Sequence, residues 1–291
     1  MRTLRPILAL LLFALRPALA EPPPSPEYMN GSQTANRFAK RLGKLVQAKS
    51  AVPMKALIEQ ARTFKPCALE ALPSSGAALS PEEIYASCRD SVVLVGAVYK
   101  CKKCKLWHLV SATGFAVSDD GLIATARHVV SSNTFCETMG ILTRDGKLFP
   151  VKGVAASDPR NDLVILRTGA TGLRPLPVAA DISVGAPVYA IHHANPNLYA
   201  FTQGAVVGKF LSGRLNPKEP LRTLAISADY GPGSSGGPIF DQHGAVAGIV
   251  CSVSPVMEHA QEQTNSWASM VWKYSVPSAA LLELMEAPVP P

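Results

Sequence analysis

A serine stands among glycines in Gly231-Pro232-Gly233-Ser234-Ser235-Gly236-Gly237-Pro238, the setting a chain needs to present a nucleophilic hydroxyl. Glycine carries no Cβ and adopts φ > 0 freely, so such a segment can turn tightly and aim several backbone N–H groups into one small volume. A nest of that kind receives an oxyanion. A serine hydroxyl at its ordinary pKa is a weak nucleophile, so Ser235 requires a histidine base and a group to orient that base. His128 follows the run Leu122-Ile123-Ala124-Thr125-Ala126-Arg127, at the end of a predicted strand, where an imidazole can be held rigidly over a cleft. Asp162 stands at the mouth of the apolar run Leu163-Val164-Ile165-Leu166, where burying a carboxylate is costly unless it accepts from a donor such as an imidazole N–H. Taken singly, each also fits a plain structural role: a glycine-rich turn, an ordinary histidine, a strand-initiating aspartate. Together they compose the nucleophile, base and orienting acid of acyl transfer.

The elements that must carry these residues are mostly strands. After Ser235, the pattern Pro238-Ile239-Phe240, Asp241-Gln242-His243-Gly244 and Ala245 to Val250 predicts a β-hairpin. That excludes the strand-to-helix elbow on which other Gly-x-Ser-x-Gly serines sit. Ser91 to Tyr99 and Leu106 to Val117 read as strands, and short strands alternate with Gly, Pro and Asp turns as far as Val253, the mark of a sandwich or barrel. Ser80-Pro81-Glu82-Glu83 is a capping box that starts a short helix, and the domain boundary is set near residue 80. Upstream, Ala35, Phe38, Leu42, Leu45 and Val46 recur at helical spacing, Pro53 ends that helix, and Met54 to Phe64 predicts a second. The apolar stripe suits packing on the main domain, on a sister subunit or on a membrane surface, the first being the simplest.

Residues 21–26, Glu-Pro-Pro-Pro-Ser-Pro, predict a stiff linker, so 21–79 forms a linker plus helical extension and 80–291 the main domain. Residues 1–20 have Arg2 and Arg5, an apolar Ile7 to Leu15 and a closing Ala18-Leu19-Ala20, the layout of a cleaved secretory signal. Its loss removes three arginines and no acid, taking the net charge from +7 to +4. No basic face interleaved with aromatics accompanies that charge, which argues against a nucleic-acid partner. Export favours oxidised cysteines. Of the pairings open to Cys67, Cys88, Cys101, Cys104, Cys136 and Cys251, proximity favours Cys67 with Cys88 and Cys101 with Cys104, leaving Cys136 with Cys251. Cys101-Lys-Lys-Cys104 with His108 is half of a zinc pattern, but no second ligand pair follows, so a disulfide staple is expected and no metal or cofactor.

The order His128, Asp162, Ser235 is that of chymotrypsin-type enzymes. Over residues 84–287 the chain resembles the trypsin-like serine protease superfamily, closest to its HtrA/Deg branch. The resemblance rests on Gly114-Phe-Ala-Val-Ser-Asp-Asp-Gly-Leu-Ile before Thr125-Ala-Arg-His128, on Asp158-Pro-Arg-Asn-Asp162-Leu-Val-Ile-Leu, on Val184-Gly185 and Gly204-Ala205-Val206, on Gly233-Ser-Ser235-Gly-Gly-Pro, and on Tyr274-Ser-Val-Pro277 before a closing helix at 279–286. It implies a mainly β fold of two six-stranded antiparallel barrels and an exported serine endopeptidase, periplasmic or secreted, that acts on polypeptides in quality control or processing. The oxyanion donors would be the N–H groups of Gly233, Ser234 and Ser235. The rival class is a protease fold used only to bind, as a chaperone does. Relatives oligomerise through N-terminal segments, so a homo-oligomer built through the helices at 35–64 is implied, and the short distance from the closing helix to Pro291 leaves no room for the PDZ domain many members carry. Arg127 replaces a usual small residue and would alter the cleft wall, while Ser234 replaces the acid that a freed N-terminus engages in digestive relatives. Asp229 aligns with the acid of a basic-specific pocket, yet the branch prefers aliphatic side chains. Asp229 turned outward beside Tyr230, with Cys251 lining the entrance, is the expected pocket.

Overall fold

The strand Val92–Lys100 (β1) is buried along nearly its whole length, because one face meets a sheet interior and the other is covered by the first helix of the chain. In this computed structural model, which describes residues 28–74, 76–212, 220–259 and 266–286, that helix is α1 (Gly31–Gln47). The signal and proline-rich linker predicted at 1–26 lie outside the described residues. Asn30 caps α1 by accepting the Gln33 N–H at 2.9 Å. Its apolar stripe, Phe38, Ala39 and Leu42, packs on Leu94, Val98 and Leu142. Gly96 of β1 is required under this helix, since a Cβ there would lie 2.6 Å from Phe38 Cε1.

The further elements are α2 (Met54–Gln60), α3 (Pro81–Cys88), β2 (Trp107–Ala116), β3 (Leu122–Ala126), the single turn α4 (His128–Ser131), β4 (Thr138–Leu142), β5 (Leu148–Pro150), β6 (Gly153–Asp158) and β7 (Leu163–Arg167). Then follow β8 (Pro187–Ala194), β9 (Asn197–Ser212), β10 (Leu221–Ile226), β11 (Pro238–Phe240), β12 (Val246–His259), β13 (Ser266–Pro277) and α5 (Ser278–Met285). The fold is mainly β and chymotrypsin-like, with one correction to the expected pair of six-stranded barrels. The second half is a closed barrel in the order β10-β13-β12-β11-β8-β9, whereas the first is a curled seven-stranded sheet, β5-β4-β1-β2-β3-β7-β6. Its edge strands do not form a ladder: β5 has three residues and ends in Pro150, which lacks an N–H. The gap is spanned instead by Val151 N–H to Met139 O at 3.0 Å and Lys152 N–H to Arg167 O at 2.7 Å.

The extension is a belt rather than an appendage. After α2, Lys65 exchanges backbone hydrogen bonds with Ser157, and Cys67 and Leu69 donate to Leu284 and Met285 of α5. Leu72 O then accepts from Val178 and Leu79 N–H donates to Gln242 O. The boundary near residue 80 therefore separates sequence patterns and not packing units. α2 stops at Gln60, short of the expected Phe64, because the Ala61 carbonyl is taken by Ser157 Oγ at 2.9 Å and Arg127 Nε at 2.6 Å. Of the three surfaces open to the stripe, the main domain takes it: its large residues are buried against β1 and β4. The capping box of α3 forms in both directions, Glu83 N–H to Ser80 Oγ and Ser80 N–H to the Glu83 carboxylate.

None of the three expected disulfides forms, and all six cysteines are free thiols. Cys136 belongs to the core of the first sheet and Cys251 to the cluster between the two halves, so they cannot meet. Cys88 donates instead to Gly244 O at 3.6 Å. If α1 is integral to the fold, Phe38→Ala leaves a cavity against β1 and lowers stability by about 3–5 kcal/mol, read from urea unfolding of the whole chain.

Candidate active site

Register brings His128 and Asp162 together. β3 and β7 pair antiparallel with Ala126 opposite Leu163, so the next residues outward, Arg127 and Asp162, meet where both strands end, and Arg127 N–H donates to Asp162 O at 2.7 Å. Asp162 sits at φ 57, a left-handed conformation that aspartate tolerates better than most residues. Asp158 supports the turn before it, its carboxylate accepting the Arg160 and Asn161 N–H groups and the Asn161 side-chain amide. Asp162 Oδ1 then accepts the His128 backbone N–H at 2.8 Å, while Oδ2 lies 2.6 Å from His128 Nδ1. That contact places the proton on Nδ1 and leaves the Nε2 lone pair free to act as a base. Cys251 Sγ lies 3.7 Å from the same Oδ2, and its thiol is pushed up to about 12 by burial and by the Asp162 charge. It is therefore a neutral S–H donor to the carboxylate.

The Arg127 side chain does not form the cleft wall. It runs away from the site to the Ala61 carbonyl and so ties the belt to the residue before His128.

The serine loop is clamped onto the first sheet by Thr113 of β2. Thr113 N–H donates to Ser235 O at 3.0 Å, and its hydroxyl donates to Gly233 O at 2.9 Å while accepting the His193 N–H at 3.0 Å. Gly236, at φ +82, passes so close to β3 that a Cβ would stand 2.1 Å from Thr125 Oγ1 and 2.6 Å from Ala126 N. Ser235 thus reaches the end of β3 two residues from His128. Its side chain is half-buried, and no hydrogen bond joins its Oγ to His128 among the described residues. The N–H groups of Gly233 and Ser235 have no acceptor among those residues either. Ser234 differs from expectation, since its N–H is spent on Gly231 O at 3.0 Å and cannot receive an oxyanion.

The Ser234 hydroxyl turns inward to His192 Nδ1 at 2.9 Å, and His192 Nε2 meets Asp229 O at 3.1 Å. One buried imidazole therefore braces both flanks of the Ser235 segment. Sequence reading missed Thr113, His192 and His193 in these roles; the only visible signal was a histidine pair inside an otherwise apolar strand. The Asp229 carboxylate points outward to Lys273 Nζ at 2.6 Å, with its side chain 84% exposed. Tyr230 lies inward, its hydroxyl donating to Tyr274 O at 2.7 Å. Among the described residues the one His/Cys cluster with metal-ligand proximity lies outside this cleft, at the β1–β2 hairpin.

Burial lowers the pKa of His192 and pushes that of His193 down to about 3. A folded-state pKa below the unfolded value of about 6.5 means that the unfolded chain binds more protons in between, so stability is complete above pH 6.5 and drains as pH falls below it. The melting temperature should drop steadily from pH 6.5 to 5. His193→Asn, which keeps an acceptor for the Tyr199 N–H now held by Nδ1, should flatten that slope even if its melting temperature is lower throughout.

Known proteins resemble parts of this chain. The family described as trypsin-like peptidase domain matches residues 112–249. A probable periplasmic serine endoprotease, DegP-like, of Hahella chejuensis is 30% identical over 178 residues, covering 60% of this chain and 34% of that protein. Protease Do-like 1, chloroplastic, of Arabidopsis thaliana is 30% identical over 145 residues, 48% of this chain and 32% of the relative. The anti-sigma-I factor RsgI9 of Acetivibrio thermocellus is 32% identical over 163 residues, 55% of this chain and 21% of the relative. The chain thus spans between a fifth and a third of the length of these relatives. Among solved structures, an HtrA-type protease, AlgW with a decapeptide, superposes with a TM-score of 0.55 at 17% identity, covering 71% of this chain and 66% of that one.

Proposed function

Because the chain carries a trypsin-like peptidase domain related to that of HtrA-type proteases, we propose that it is a serine endopeptidase whose triad is His128, Asp162 and Ser235. The observation that carries this reading is the Asp162 carboxylate bonded to both the backbone N–H and Nδ1 of His128, beside a glycine-framed serine. In the reaction, His128 Nε2 takes the Ser235 proton as Oγ attacks the peptide carbonyl, then returns it to the leaving amine. Asp162 holds the tautomer and stabilises the imidazolium. The N–H groups of Gly233 and Ser235 receive the oxyanion, each contributing about 3–4 kcal/mol to the transition state. Water enters by the same base to release the acyl group.

The missing Ser235–His128 hydrogen bond is the one observation that favours a binding-only role, although such bonds are often long until substrate arrives. A fluorophosphonate probe separates the two: labelling of Ser235, with kcat on an unfolded protein substrate falling about 10⁶-fold in Ser235→Ala, establishes the peptidase. An unlabelled chain, or undiminished cleavage by the variant, refutes it.

The outward Asp229 and inward Tyr230 support a preference for aliphatic P1 residues such as Val, Ala or Leu, with Cys251 as a small wall of the pocket. Profiling on a peptide library should show that preference, unchanged in Asp229→Ala. Dominant cleavage after Arg or Lys that disappears in Asp229→Ala would reverse the assignment. An exported location, and work in protein quality control or processing, is supported by the secretory pattern of residues 1–20 and by relatives described as periplasmic.

A further inference from the structure

The tip of the β1–β2 hairpin gathers two thiols and an imidazole that the peptidase reaction does not use. β1 and β2 pair Tyr99 with His108 and Lys100 with Trp107; beyond them Cys101 N–H donates to Leu106 O at 2.9 Å and Lys105 N–H to Cys101 O at 3.0 Å. Lys105 takes φ 61, which completes a tight turn. The turn places Cys101, Cys104 and His108 with their ligand atoms all within 4.8 Å of one another. Cys104 Sγ meets His108 Nε2 at 3.0 Å. Tyr99 stacks on the His108 ring at 5.4 Å and 20°, and Phe135 meets Tyr99 edge-on at 5.2 Å, so the ring is held in place from one side.

We propose that Cys101, Cys104 and His108 bind one zinc-class cation, with a fourth coordination position open to solvent. A tetrahedral zinc centre with Zn–S near 2.3 Å and Zn–N near 2.0 Å needs S···S edges of about 3.8 Å and S···N edges of about 3.5 Å. The observed separations, 3.0 Å between Cys104 Sγ and His108 Nε2 and none above 4.8 Å, bracket those lengths. Binding releases two protons, one from each thiol, and leaves the imidazole neutral and coordinated through Nε2. Two thiolates and an imidazole are soft donors, which suit zinc and cobalt and do not suit magnesium or calcium. A disulfide between Cys101 and Cys104 would leave the converging imidazole unused. The sequence pattern already held all three residues, and pairing across the hairpin brings the imidazole onto the thiols.

The site is remote from the cleft. His108 precedes Thr113 by five residues on β2, about 17 Å at strand rise, so the metal would pin the hairpin and take no part in acyl transfer.

Titrating the whole, reduced chain with Co²⁺ alone tests this. The expected result is one cobalt per chain with tetrahedral visible bands and a thiolate-to-cobalt charge-transfer band, displaced by an equivalent of Zn²⁺. Cys101→Ser/Cys104→Ser should lose the signal, His108→Ala should weaken binding by at least about tenfold, and His108→Cys should restore it with stronger charge transfer. The restoring variant distinguishes loss of a ligand from loss of fold. Cobalt binding unchanged in the double cysteine variant or in His108→Ala overturns the proposal. So does a chain isolated from its own compartment that carries a Cys101–Cys104 disulfide and no metal.

Discussion

Two hydrogen bonds to one carboxylate hold the first half of the candidate site, and they exist because β3 and β7 are in a single register. Ala126 opposite Leu163 forces Asp162 to leave its strand where Arg127 leaves the other, and the left-handed turn at Asp162 then aims the carboxylate at His128. A slip of one residue would turn every side chain of β3 to the opposite face and separate the pair. The register is fixed by burial: Ile123, Val164 and Leu166 lie in the core of the first sheet, Ala124, Leu163 and Ile165 in the cluster between the halves. Each face is thus committed to its own cluster.

The second half of the site is delivered by the closed barrel, and the seam between the halves is where positional accuracy is set. Thr113 and Gly236 do most of this work, one by three hydrogen bonds, the other by having no side chain where the loop touches β3. His192 and Ser234 supply a buried polar bond behind Ser235. The belt of residues 31–79 adds ties to β6, α5 and the β11–β12 turn, and Arg127 links it to the residue next to the base. In the candidate site, then, support comes from both halves and from a segment with no catalytic residue of its own.

The cysteines divide by environment. Cys67, Cys88, Cys136 and Cys251 are raised by burial and behave as small hydrophobic groups, Cys251 also as a donor to Asp162. Cys101, at the hairpin tip, is shifted the other way, chiefly by the Cys104 and Lys103 backbone.

The amino-acid order alone determined the β-rich class, the capped helix at Pro81, the amphipathic stripe at 35–46 and the three residues nominated for the triad, since hydrophobic period, capping residues and glycine-framed serines are local signals. Only the tertiary structure decided where the stripe is buried, that the first sheet stays open, that Ser234 N–H is spent within its own loop, and that Arg127 faces the belt. Each of these depends on what lies across a strand pair or a packed face. A sequence spaces residues along one dimension, whereas such partners are chosen by register, by closure of backbone hydrogen bonds and by the volume left when two apolar surfaces meet.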